Sequence, residues 1–328
     1  MTTSLHPNPL DSEGPESQDS GSPGPESTTD ESSEVLEAED AKKRAPLSGV
    51  RFVAVSALLM LAATTLGFVA TLVGVSQVQH ARDQEVIYSD YRYDLANAIA
   101  TVGQTDIEGQ ILPMGAPVAV LLIPEIGVQE VVLNGTTSAV MQSGPALRRD
   151  TVLPGQPGNS VIFGRQASYG GPFGDLERLQ PGSVIRAVTG QGEHEYSVIS
   201  VRRAGDPLPP PREPGQGRLT LVTADGPRYL PTDILRVDAV LLTEPVPAPQ
   251  MILGPLSLSP SEQPMAGDPD GLIPMVLWGQ LLVVAVVGAV WLSMQWGRWQ
   301  AWLVAAPLIA FAGINAATAG IQLLPNLM

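Results

Sequence analysis

Few side chains in this 328-residue chain are equipped for chemistry, and one count decides much of what they can do. The chain contains no cysteine, so it supplies no thiolate nucleophile, no thiolate metal ligand and no disulfide. Two short β-rich apolar runs each end at a polar position: Val161-Ile162-Phe163-Gly164-Arg165 and Leu219-Thr220-Leu221-Val222-Thr223-Ala224-Asp225. Arg165 is a permanent cation, suited to holding an anion and unable to release a proton near neutral pH. Ser160, Ser168 and Thr223 are nearby hydroxyls, read as strand or turn residues because none sits in a Gly-x-Ser-x-Gly elbow. Of the three histidines, His6 lies near the start, His80 follows a long apolar run, and His194 reads as a surface position of a hairpin. Asp225, Asp233 and Asp238 form no dense carboxylate loop, so they read as turn and strand-end residues. No metal and no cofactor are expected.

The elements that must position these residues are mostly strands. Residues 118–124 form an apolar run closed by proline, and 126–135 read as a turn and second strand. A short helix is expected over 139–147. The loop 154–159 launches the Val161 strand. Residues 183–189 and 194–202 form a hairpin about Gly190-Gln191-Gly192. A proline-rich loop spans 207–217, read as a stiff connection rather than a polyproline docking site. Strands at 218–223 and 234–242 complete the set. Short strands at regular spacing with Gly and Pro turns predict a closed or nearly closed β-barrel over 116–243.

The flanks are of another kind. The mean hydropathy is +0.13 and the net charge is −15. Residues 1–41 hold 11 of the 33 acidic residues and no Lys or Arg, so the rest of the chain is only mildly acidic and nucleic acid is not an expected partner. Residues 1–45 read as a disordered acidic tail. Uncharged runs at 52–79, 271–297 and 299–325 are long enough to cross a bilayer as helices, each exceeding roughly 20 residues. Lys42-Lys43-Arg44 with Arg51 before the first span, and Arg298 between the last two, place the tail in the cytoplasm and the barrel outside. Residues 80–115 read as an amphipathic juxtamembrane helix (Ile87, Tyr91, Leu95, Ile99) and a loop, and 244–270 as a proline-rich linker.

The ordered pieces resemble a sortase, the cysteine transpeptidase of Gram-positive cell surfaces, of the actinobacterial class-E-like kind. Ile123-Pro124-Glu125-Ile126-Gly127 looks like the family's opening motif, and Leu153–Asn159 like the loop before its histidine strand. Tyr169-Gly170-Gly171-Pro172-Phe173 with Leu176 and Leu179 resembles the segment after that strand. Leu219–Thr223 looks like the cysteine strand, and Leu235 with Val237-Asp238-Ala239 like the last strand. The resemblance implies a mainly β, sortase-like barrel with short helices, plus three transmembrane α-helices. It also implies that Arg165, Ala224 and Ile234 stand where the family has His, Cys and Arg; Arg236, two residues on and on the same strand face, is the alternative for the third. Asp225, Arg228 and Arg236 are the further groove candidates, with Arg165 expected to pair with Asp225 and Arg228 to compete. The expectation that follows is a pseudo-sortase and not an enzyme, acting as a binding or scaffolding module in cell-envelope protein display. Its partners would be the lipid bilayer and cell-surface proteins or an active sortase. The alternatives are an enzyme with altered, non-cysteine chemistry in the same cleft using Arg165 and Asp225, and a membrane component whose spans carry the function.

Overall fold

A computed structural model describes residue 58, residues 62–296 and residues 298–328. The acidic tail, the basic cluster before the first span and the Gly297 turn lie outside the described residues. Eight strands close into a barrel in the order β1-β2-β3-β4-β7-β8-β6-β5. They are β1 (Pro117–Ile123), β2 (Val128–Asn134), β3 (Ala146–Leu147), β4 (Gly158–Phe163), β5 (Val184–Thr189), β6 (Gly192–Arg202), β7 (Gly217–Asp225) and β8 (Asp233–Leu241). Three helices flank it: α1 (Ala62–Ala96, with a π-helical turn at Thr71–Val75), α2 (Leu272–Gln295) and α3 (Arg298–Gln322). All three are long and apolar enough to cross a membrane.

The barrel follows from the alternation written in its strands. Leu219, Leu221, Leu235, Val237 and Ala239 point inward with Ile162, Ile185, Tyr196 and Val198, and these residues form one core. β4 and β7 run parallel, with Ile162 opposite Leu221 and Phe163 opposite Val222. β8 pairs antiparallel with β7, which sets Ala224 opposite Ile234 and Val222 opposite Arg236. The short helix expected over 139–147 is instead a single 3-10 turn, Val140–Gln142, followed by β3. Parallel pairing of β3 with β2 draws the end of that segment into the sheet.

Two flanking segments differ from their sequence reading. The juxtamembrane helix is the second half of α1, continuous with the apolar half, and it docks on the barrel. Tyr91 is fully buried and donates its hydroxyl to Val118 O at 2.8 Å. Gln84 donates to the Val131 and Ser143 carbonyls and accepts from Val131 N–H at 2.7 Å, and His80 Nε2 meets Glu130 Oε1 at 3.1 Å. The proline-rich segment 244–270 is a strap laid along the barrel. Val246 N–H bonds Gly155 O, Gln104 bonds the backbone of Ile252 and Leu253, and Glu262 lies fully buried. Glu262 takes a two-pronged ion pair from Arg149 at 2.8 and 2.6 Å and also accepts from Ser259 N–H. The hydrogen bonds from Arg149 to Glu262 hold the Arg149 guanidinium above its ordinary pKa.

Removing one partner of a buried, doubly bonded pair leaves the other charge uncompensated. Glu262→Ala is expected to lower stability by about 3–5 kcal/mol, read as a depressed melting temperature. Limited proteolysis of the same variant should cut within 244–270 ahead of the barrel; a strap as resistant as the parent's would show that Glu262 does not anchor it.

Candidate functional site

β4 ends at Phe163, and the chain turns at Gly164. A Cβ at Gly164 would come within 2.3 Å of the Phe173 ring, so only glycine lets that ring close over the strand end. Arg165 follows and is 1% exposed. Its guanidinium makes five hydrogen bonds: Nε to Met141 O (3.1 Å), Nη2 to Ser138 O and Oγ (both 2.9 Å), and Nη1 to Ser168 Oγ (3.1 Å) and Met328 O (3.3 Å). The cation also lies 5.2 Å from the centre of the Tyr169 ring. Burial away from water pulls its pKa down to about 10.

The expected Arg165–Asp225 pair does not form. Asp225 sits one residue past Ala224, where the side-chain alternation turns it off the groove face, and it bonds Arg203 at 2.8 Å. Arg228 stands on an exposed loop and reaches Asp175 at 3.8 Å. No Asp or Glu side chain bonds Arg165; oxygens of Ser138, Met141, Ser168 and Met328 surround it. The altered-chemistry alternative loses its proposed pair for the same reason. Thr223 and Ser160 alternate with groove-facing residues and point into the barrel, where their hydroxyls are buried without a partner.

Ala224 and Ile234, opposite one another on β7 and β8, meet Met141, Ala146, Phe163 and Val222 in a second apolar cluster at the head of the groove. The centre of that cluster is Leu327, fully buried. Below the head the groove opens into a cavity of about 440 Å³ between the faces of β4, β7 and β8 and the wall Pro209-Pro210-Pro211. Arg148, Arg202, Arg212, Arg218 and Arg236 line it. Arg202 bonds the buried Asp238 at 2.5 Å, Arg148 bonds Asp150 at 2.8 Å, and Arg218 holds the loop through Pro210 O at 2.7 Å. The proline loop is thus a stiff wall of the groove. Arg236 belongs to the trough; Arg165, Ala224 and Ile234 belong to the head. The sequence signal for the trough was present, since Arg218, Arg236 and Asp238 share one strand face by their spacing, but Arg148, Arg202 and Leu327 come from elsewhere in the chain. Among the described residues no three His, Cys, Asp or Glu side chains gather closely enough to hold a metal ion.

His194 is not on the surface. It is 2% exposed, its Nε2 lies 3.2 Å from Thr189 Oγ1, and its ring packs on Gly155, where a Cβ would approach within 2.3 Å. Burial lowers its pKa below the ordinary 6.5. The unfolded chain therefore binds this proton more readily, and the stability His194 confers is complete above pH 6.5 and lost as pH falls below it. The melting temperature should drop on acidification through that range, and His194→Gln should flatten the drop; an unchanged slope would place the sensitivity elsewhere. For Arg165 the sign puts the window at the alkaline end. Its charge carries a constant penalty until pH reaches about 10, so the stability difference between the parent and Arg165→Met should be flat from about pH 5 to 9. That substitution strands several buried carbonyls and should cost about 2–4 kcal/mol.

Residues 121–234 match the family model described as Sortase domain. No curated protein matches the chain. Among solved structures it is similar to sortase C-1 from Actinomyces oris, at 27% identity over 39% of this chain and 75% of that one, with a TM-score of 0.35. It is also similar to the sortase D5 transpeptidase of Clostridium perfringens (20% identity, 51% and 99% covered, TM-score 0.40). Sortase E1 from Streptomyces coelicolor, solved with a tripeptide in the active site, matches at 23% identity over 40% and 91%, with a TM-score of 0.36. The expectation of a non-enzyme is corrected by the domain match: residues 121–234 match the Sortase domain model, and nothing among the described residues shows that activity is lost. The likeness to the sortase domain covers residues 121–234.

Proposed function

We propose that the protein is a membrane-anchored sortase-like module of the cell envelope, with its barrel on the outer face. Its groove receives an extended segment of a cell-surface protein or of an active sortase. The observation that carries this reading is the trough between β4, β7, β8 and the proline wall, long and arginine-lined, beside a barrel tied to three membrane-length helices. Five arginines in one groove of a chain with net charge −15 make a local field opposite to that of the whole molecule. Such a field favours an acidic stretch of peptide. Arg236 is the central cation here, since Arg202 and Arg148 already face Asp238 and Asp150. The cytoplasmic placement of the N-terminal segment rests on the basic residues before the first span and on Arg298.

Cross-linking in intact membranes followed by capture of the full chain tests the reading. The expected result is recovery of a surface protein, lost when Arg236→Glu and Arg218→Glu reverse the trough's charge. Capture that needs only residues 271–328 would sink it in favour of the membrane spans. Incubation with a Leu-Pro-x-Thr-Gly peptide addresses catalysis directly. Turnover by the purified chain that survives thiol-blocking reagents would assign the groove a non-cysteine chemistry instead. A protease added to protoplasts should cut the Glu262→Ala strap and spare residues 1–45; loss of the acidic tail from outside would reverse the orientation.

A further inference from the structure

The head of the groove is filled by residues that follow the third membrane helix. Past Gln322 the chain makes two tight turns and runs into the barrel. Asn326 N–H bonds Ala266 O at 2.9 Å, and its side-chain amide donates to Thr136 O and Gln263 O. Leu327 O accepts from Gln166 N–H at 2.9 Å while its side chain sits among Met141, Phe163 and Ala224. Met328 O accepts from both Ser168 Oγ, at 2.6 Å, and Arg165 Nη1. These are contacts by which a protein holds a short, turned peptide segment: backbone bonds for affinity, one side-chain pocket for selection, and a cation with a hydroxyl on a main-chain oxygen.

We propose that the head of the groove is a peptide-binding site occupied in cis by residues 323–328, and that a peptide presenting a leucine-sized side chain and a following carbonyl enters when this segment withdraws. The inference rests on the peptide-binding reading of the trough, which it extends to the head and to its control. The segment is held less completely than its burial suggests, because Asn326 Oδ1 is buried with no donor. Its path is also tight. A Cβ at Gly267 would stand 2.4 Å from Leu323 O, so the strap and the segment fit only through that glycine. The tether gives the segment an effective concentration on the order of mM, so a free peptide with the same contacts competes poorly at lower concentrations.

The test uses the full chain in lipid nanodiscs and a fluorescent hexapeptide with the sequence of residues 323–328. The intact chain should show no saturable binding at micromolar peptide. Both the form lacking residues 323–328 and the Leu327→Asp form should bind it at least tenfold more tightly. Should either fail to fold, Gly267→Val displaces the segment without touching the groove and should give the same gain. Because the chain has no native cysteine, Leu327→Cys reports the segment alone. Its modification by a maleimide should be slow and should rise at least tenfold when Gly267→Val is added. If folded chains lacking the segment do not bind the hexapeptide while capture through the Arg236 trough persists, this inference falls and the proposed function stands. If capture and hexapeptide binding are both absent, both fall. Equal binding with and without the segment would show that residues 323–328 do not occupy the site.

Discussion

The burial of one guanidinium organises the upper end of this barrel. Arg165 is the largest fully buried side chain among the described residues, and no Asp or Glu side chain pairs with it. A buried cation is tolerated only when polar groups replace the water it has lost. Here the polar groups come from three places: the Ser138–Met141 turn, Ser168 in the following loop, and Met328 beyond the third helix. Those segments are therefore fixed relative to one another by the requirement to surround a charge. A change in any of them is felt as an electrostatic cost at Arg165.

The same constraint explains why the membrane helices and the barrel behave as one structure. α1 runs without a break from its apolar half into the half that buries Tyr91 against β1. Its π-helical turn, Thr71–Val75, rewinds the helix between those halves. α2 begins where the strap ends, and the strap is pinned by Glu262 on Arg149. α3 delivers Leu327 to the groove. All three helices thus touch the barrel through a buried polar contact or a short connector, and none is joined to it by a free linker.

How much of this was written in the sequence depends on the range of the interaction. Strand alternation and turn residues act over a few positions, so the barrel, the hairpin from β5 to β6 and the β7–β8 pair were legible from Leu219, Leu221, Val237 and their neighbours. The three spans were legible from length alone. The Arg165 environment was not, because three of its five acceptors are backbone oxygens, which any residue supplies, and the other two are the hydroxyls of Ser138 and Ser168. A carboxylate partner is the reasonable expectation for a buried arginine, and the resemblance put Asp225 at the neighbouring strand end, but it lies on the wrong face of its strand. His194 looked like a hairpin surface residue, and only the packing of Gly155 on its ring shows otherwise. Residues 244–270 read as a linker because prolines dominate them. The lone Glu262 among Ser and Pro, three residues after Ser259, was a capping signal that pointed to local order. Leu327 lay next to a membrane run, where nothing in composition separates a groove residue from a lipid-facing one.

The division of the groove into two environments also bears on what it can do. At the head, beside Phe163, Val222, Ala224 and Leu327, Arg165 is shut away from bulk solvent, so its interactions are strong and little screened by salt. In the trough, arginines on an open wall interact through solvent and weaken as ionic strength rises. A ligand that spans both would lose its trough contacts in salt while keeping its grip on the head, so salt dependence separates the two halves without any mutation. The head is also the part reached from the membrane. Gln322 ends α3, and only a short turn separates it from Leu327, so a shift of α3 by one residue's rise, about 1.5 Å, is comparable to the fit of the leucine in its pocket. Close-packed contacts respond to displacements of that size in a stepwise way rather than gradually. The short connection from Gln322 to Leu327 is thus the path by which the last apolar helix bears on the groove head.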